Sequence, residues 1–186
     1  MIDKNAGSLR VRNMERRDAA CITREEIAQG WHQTVDKYLT RLEHQRQGKC
    51  IALVAEYEGN VAGYINVYLK SLEGPFGNRN LPEIVDLGVL EKYRRRGIGT
   101  ALMDQAEKIA GQYADFVYLG VGLHAGYGSA QRMYVKRGYI PDGSGVWYRN
   151  APCIPYAECV NDDDLVIYLS KTLRKESAYY QSAWKI

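Results

Sequence analysis

One stretch limits the fold more than any other: LPEIVDLGVLEKYRRRGIGTALMDQAEKIA, residues 81–110. Its first nine residues read as a strand. From Gly97 to about Gln112, Ile98, Leu102, Ala106 and Ile109 recur at helical spacing, and Ala101, Met103 and Ala110 widen the stripe. Between them lies a short loop of basic residues and glycine. A helix start carries unpaired N–H groups and roughly half a positive charge, so a strand, a glycine loop and a helix in that order make an anion site. Gly97 and Gly99 let the backbone approach a pyrophosphate. Arg94, Arg95 and Arg96 add charge, and Thr100 adds a hydroxyl. The loop lacks the Lys-Ser/Thr of a P-loop and the third glycine of a dinucleotide fingerprint, so neither reading fits well.

The other elements follow from periodicity. Leu9 and Val11 suggest a first strand, Arg16 to Gln29 a helix, and Trp31 to Gln47 a second amphipathic helix closed by Gly48. CIALVAEY and VAGYINVYL, joined by Glu58-Gly59-Asn60, read as a hairpin. Residues 71–80 are rich in Gly, Pro and Asn and read as a loop. FVYLGVGL is a strand, Gly128 to Arg137 a helix, Tyr139-Ile140 and Val146–Tyr148 short strands, and DLVIYLSK a last strand. The order β-α-α-β-β-β-α-β-α-β-β indicates an α/β (α+β) domain over residues 8–171 with a mixed sheet, and residues 172–186 form a tail or short added element.

Composition narrows the class. The 186 residues make one domain, and 46% hydrophobic with 25% charged residues is globular. No apolar run is long enough to span a bilayer, and the N-terminal segment has no secretory apolar core. Cys21, Cys50, Cys153 and Cys159 form no C-x-x-C pair and read as reduced packing residues of a cytoplasmic chain. A net charge of +3 and a pI near 8.6, with no groove-reading motif, do not indicate nucleic acid. His32, His44 and His124 are spaced too irregularly for a metal site.

The loop Arg94-Arg95-Arg96-Gly97-Ile98-Gly99 resembles the [QR]-x-x-G-x-[GA] motif of the GNAT superfamily of acyl-CoA N-acyltransferases. Ser129 to Tyr139 resembles the later A-x-x-L-Y-x-x-x-G-[FY] segment of that family, one strand further on. The resemblance implies a mixed, mostly antiparallel sheet of six to seven strands flanked by about four helices. It implies acetyl-CoA as acyl donor with no metal, its diphosphate held by residues 94–100. Leu87, Gly88 and Val89 then offer backbone groups to the pantetheine arm. Many members carry Asn seven residues before the tyrosine, where this chain has Tyr127, so Ser129 is either a polar contact in its place or a helix cap.

Amine acetylation by a thioester requires a deprotonated amine and a stabilised thiolate. The resemblance makes Tyr134 the general acid. It places a base at Glu83, eleven residues before Arg94, with Asp86 and a water chain as rivals. Strict alternation puts Glu83 and Asp86 on opposite faces, and a bulge would change that. Glu26 and Trp31, with Glu25, lie in the region that borders the family's acceptor site. They are either contacts for a cationic amine or part of a solvated face. The loop at 71–80 is a further candidate lining, and Asp162–Asp164 read as strand entry. The expected reaction is direct transfer to a small-molecule, peptide or protein amine, with no nucleic acid or membrane partner and a homodimer as the first expectation for assembly. A non-catalytic acyl-CoA sensor of the same fold is the alternative.

Overall fold

The computed structural model describes residues 8–71 and 73–174. Residues 175–186 of the expected tail therefore lie outside the described residues. The strands are β1 (Leu9–Asn13), β2 (Cys50–Tyr57), β3 (Asn60–Tyr68), β4 (Glu83–Val89), β5 (Phe116–Gly122), β6 (Ile140–Tyr148), β7 (Ala151–Pro152) and β8 (Leu165–Thr172). The helices are α1 (Arg16–Ala28), α2 (Val35–Arg46), α3 (Ile98–Ala110) and α4 (Gly128–Lys136). The element order is the one read from the sequence, with a two-residue β7 and two 3₁₀ turns, Glu91–Tyr93 and Ala125–Tyr127, added. α2 starts at Val35 and not at Trp31, because Gly30, at φ 86°, reverses the chain after α1 and Thr34 is the N-cap.

The eight strands form one sheet in the order β1-β2-β3-β4-β5-β8-β6-β7. Neighbours are antiparallel except β4 and β5, which are parallel and share one register pair, Glu83 with Tyr118. α3 and α4 cover one face. There Leu102, Met103 and Ala106 are fully buried against Leu53, Ile65, Leu119 and Val121. α1 and α2 cover the other, where Ile22 and Tyr38 pack on Ala52, Val54 and Tyr64. A third cluster, Phe76 with Tyr118 and Tyr168, holds the 73–80 loop over the starts of β4 and β5. Arg12 links β1 to α1 and β2 through Asp18 at 2.6 Å and Glu56 at 2.8 Å. No helix among the described residues is long and apolar enough to cross a membrane.

Leu102 sits at the centre of the α3 stripe with no exposed surface. Leu102→Ala is expected to cost about 2–5 kcal/mol, the range for a fully buried leucine whose site cannot collapse. Urea unfolding should show the loss as a lower midpoint at unchanged slope.

Candidate active site

The basic loop folds with its amides and arginines around open space, an arrangement that suits an anion. After β4 the chain makes the turn Glu91–Tyr93, then passes through the left-handed region at Arg95 (φ 61°) and Gly97 (φ 77°) into α3. Gly97 is the N-cap, and a side chain placed on it would meet nothing within 4 Å, so open space lies before the helix start. Among the described residues, no backbone carbonyl takes the amides of Arg95, Arg96 or Gly97. The first-turn amides of Ile98, Gly99 and Thr100 have no partner within the helix. The Arg94 guanidinium stands 6.0 Å from the Trp31 ring and pairs with Glu91 at 3.2 Å, while Arg96 lies 5.1 Å over Tyr57. Arg95 and Thr100 are exposed beside them. These residues fit a diphosphate in both charge and space.

Two strands open beside the cradle. β4 and β5 pair at Glu83 and Tyr118 and then part. The β5-facing backbone of Leu87, Gly88 and Val89 therefore has no cross-strand partner among the described residues, which leaves an unpaired slot between the two strands. A Cβ on Gly99 would lie 3.7 Å from both Val89 Cγ2 and Met133 Sδ, so the end of β4, the start of α3 and the middle of α4 meet there. Tyr134, next to Met133, is 6% exposed and packs on Tyr139 with ring centres 5.9 Å apart. Burial pushes its phenol up, so it remains a proton donor at neutral pH. Ser129 lies in the first turn of α4 and is exposed. Tyr127 turns its ring onto Gly122, where a Cβ would collide with it, and donates to Asp163 at 2.9 Å. Asp163 also meets His124 at 3.0 Å, so the acidic 162–164 stretch ties onto the end of β5 besides entering β8.

Strict alternation fails at the two carboxylates. Tyr64 pairs with Gly88 and Asn66 with Val85, so Asp86 and Leu87 together oppose Ile65. The extra residue is absorbed at Asp86, at φ 57°. Glu83 lies opposite Tyr68, whose hydroxyl meets Arg41 at 2.5 Å and His44 at 2.7 Å. Asp86 meets the same Arg41 at 2.8 Å. The bulge thus turns both carboxylates to the α2 face, opposite α3. Asp86 is tied to Arg41, and to Lys37 at 3.5 Å. Glu83 is 8% exposed, and burial pushes its carboxyl up to about 7, against the opposing pull of the Ser71 hydroxyl.

The sequence reading of the α1–α2 region needs correction. Glu26 lies neither on a solvated face nor open to substrate. It has no exposed surface and accepts from the hydroxyls of Tyr38 and of Tyr64, the latter at 2.5 Å. Trp31 sits beside the cradle arginine Arg94. Lys37, Arg41, Asn66 and Tyr68 were not singled out from the sequence. The i,i+4 spacing of Lys37 and Arg41 is the one signal that marks them as neighbours on a helix face.

A family model described as Acetyltransferase (GNAT) family matches residues 14–139. The N-alpha-acetyltransferase of Sulfurisphaera tokodaii is 33% identical over 132 residues, which are 62% of this chain and 77% of that protein. The N-alpha-acetyltransferase of Saccharolobus solfataricus is 29% identical over 131 residues, with the same two coverages. Among solved structures, yncA of Salmonella typhimurium with its cofactor acetyl-CoA superposes with a TM-score of 0.65 at 16% identity, over 91% of this chain and 96% of that one. Ard1 of Thermoplasma volcanium gives 0.65 at 20% identity, over 90% and 99%. At these identities the two structures speak for the fold alone.

The raised Glu83 carboxyl has a consequence for folding. Below about pH 4.5 it is neutral in both states. As pH rises toward 7 the unfolded chain ionises first, so stability is lost across that window. Glu83→Gln removes the loss. Relative to the native protein, the variant should gain about 2–3 kcal/mol between pH 5 and 8, the free energy that separates a carboxyl titrating near 7 from one titrating near 4.5. Thermal unfolding across that range checks it.

Proposed function

The chain belongs to the GNAT acetyltransferase family, and from that premise we propose that it acetylates the α-amine of a peptide or protein N-terminus. It is an acetyltransferase that takes acetyl-CoA as donor to an amine. The acceptor and the residue roles are inferred from one observation. The slot between β4 and β5 has the anion cradle on its α3 face and Glu83 on its α2 face, so donor and amine meet from opposite sides.

The cradle amides of residues 95–100 and Arg94–Arg96 hold the diphosphate, and the free β4 backbone at Leu87–Val89 aligns the pantetheine arm. The thioester then lies between Tyr134 and the carboxylate face. Glu83 accepts the amine's proton, directly or through water. The amine attacks the thioester carbon, the C–S bond breaks, and Tyr134 protonates the departing thiolate. No covalent enzyme intermediate is formed.

The proton affinity of Glu83 favours an α-amine. A base near 7 lies about one pH unit below an α-ammonium near 8 and more than three below a lysine ammonium near 10.4, a difference of roughly 3 kcal/mol. The similarity to N-alpha-acetyltransferases supports the same acceptor. Asp86, tied to two cations, is assigned to positioning.

A thiol-release assay with acetyl-CoA tests the reading, using free-amine peptides, N-blocked lysine peptides and small amines. Free-amine peptides should be preferred, and turnover confined to the other two classes would overturn the acceptor. Tyr134→Phe and Glu83→Gln should each lower kcat by about 10²–10⁴, the usual worth of a positioned acid or base. The native kcat/KM should fall below about pH 7, and Glu83→Gln should lose that limb. Turnover unaffected by Tyr134→Phe would remove the phenol from the mechanism.

A further inference from the structure

The acetyl transfer leaves Lys37 of α2 without a role. Its side chain is a quarter exposed, and its ammonium sits 3.5 Å from Asp86 Oδ1 and 5.6 and 5.7 Å from the ring centres of Tyr38 and Tyr64. The two rings meet edge to face at 79° with centres 5.2 Å apart, so they form a corner around the cation. Behind the corner the buried Glu26 accepts both phenol hydroxyls, which enriches the rings in electrons and strengthens their hold on a cation.

Asn66 adds an independent sign of a ligand. It is 1% exposed, and its Nδ2 faces Asp86 Oδ2 at 3.4 Å. Among the described residues its Oδ1 has no hydrogen-bond partner. Flipping the amide would set Oδ1 against a carboxylate, so the orientation is settled by charge. A buried carbonyl oxygen left unpaired costs about 1–3 kcal/mol, and a donor arriving beside Asp86 would relieve it.

We infer that this corner is the seat for the acceptor's ammonium, and that Lys37 occupies it as a built-in surrogate until the acceptor displaces it. The inference rests on the α-amine reading above and names the residues that receive that amine. The seat adjoins the slot: a Cβ on Gly88 would collide with the Tyr64 ring, so that ring lies directly on the backbone of β4. Glu83 and Asp86 face the same side. An ammonium that replaces Lys37 exchanges cation for cation, so Asp86 and the rings keep a positive partner while the acceptor binds, before its proton is removed. It also supplies an N–H to Asn66 Oδ1.

Steady-state kinetics on a free-amine hexapeptide test the seat. Lys37→Met should lower the acceptor KM about three- to tenfold, the range of a cation–π and ion-pair competitor removed. Asn66→Leu should raise it about tenfold, while the melting temperature holds or rises because the orphaned carbonyl is gone. A purely structural pair would move stability and leave the acceptor KM in place, and that result in both variants overturns the inference. A titration with propylammonium reads the seat without turnover, through the ring-proton shifts of Tyr38 and Tyr64. The shifts should saturate at lower concentration in Lys37→Met, and their absence there also overturns it. Failure of the native enzyme to turn over any free-amine peptide strikes the acceptor assignment instead, and the titration still decides the seat.

Discussion

Everything at the candidate active site depends on β4 and β5 being parallel neighbours that pair once and then part. Parallel strands cannot be joined by a hairpin, so the chain between them must cross over, here through α3. That crossover delivers the N-terminus of α3 to the C-terminal end of β4, where the strands have separated. The helix amides and the unpaired strand backbone therefore face the same space. The bulge at Asp86 increases the local twist of β4 and bends it away from β5, which helps keep the slot open. At Gly99, β4, α3 and α4 come together, with Val89 and Met133 each 3.7 Å from where a Cβ would sit.

The opposite face is organised by charge. Ions taken out of water must be paired and hydrogen-bonded or they are strongly destabilising. Arg41 satisfies this by spanning Asp86 and Tyr68, and so fixes α2 over both β3 and β4. Glu26 satisfies it through two phenols, one from α2 and one from β3, and so pins α1 to the same place. Lys37 joins the two networks, 3.5 Å from Asp86 and over the rings of Tyr38 and Tyr64. Their joint effect is a rigid polar floor under the slot, where a more apolar packing would have no use for an amine.

This floor carries a stability cost. Glu83 is buried with no cation in hydrogen-bond contact among the described residues, Asp86 and Arg95 adopt left-handed backbone angles, and Asn66 leaves an acceptor unpaired. Glu83, Asp86 and Asn66 lie together on the α2 side of the slot, and Arg95 lies in the loop before α3. A preorganised site carries a cost of this kind, since its groups must hold reactive arrangements before substrate arrives.

The fold was largely legible in the chain. The change of period from β3 to α3, the glycine-basic loop and the Tyr134–Gly138–Tyr139 spacing are local patterns, and local patterns survive in sequence because they arise from backbone sterics and one-sided burial. Placement of Glu83, Asp86 and Gly97 in or beside β4 was readable for the same reason. The shared face of Glu83 and Asp86 was not, because a one-residue bulge reverses parity and leaves no mark in composition. Nor was the burial of Glu26, the union of Lys37 with two tyrosines from α2 and β3, or the orphaned Asn66 oxygen. The chain alone determined the order of elements and the basic glycine loop ahead of α3, both of which depend on neighbours along the backbone. Tertiary structure alone decided the α2 side of the slot, because its groups come from α1, α2, β3 and β4 and acquire their electrostatic character only from what burial places beside them.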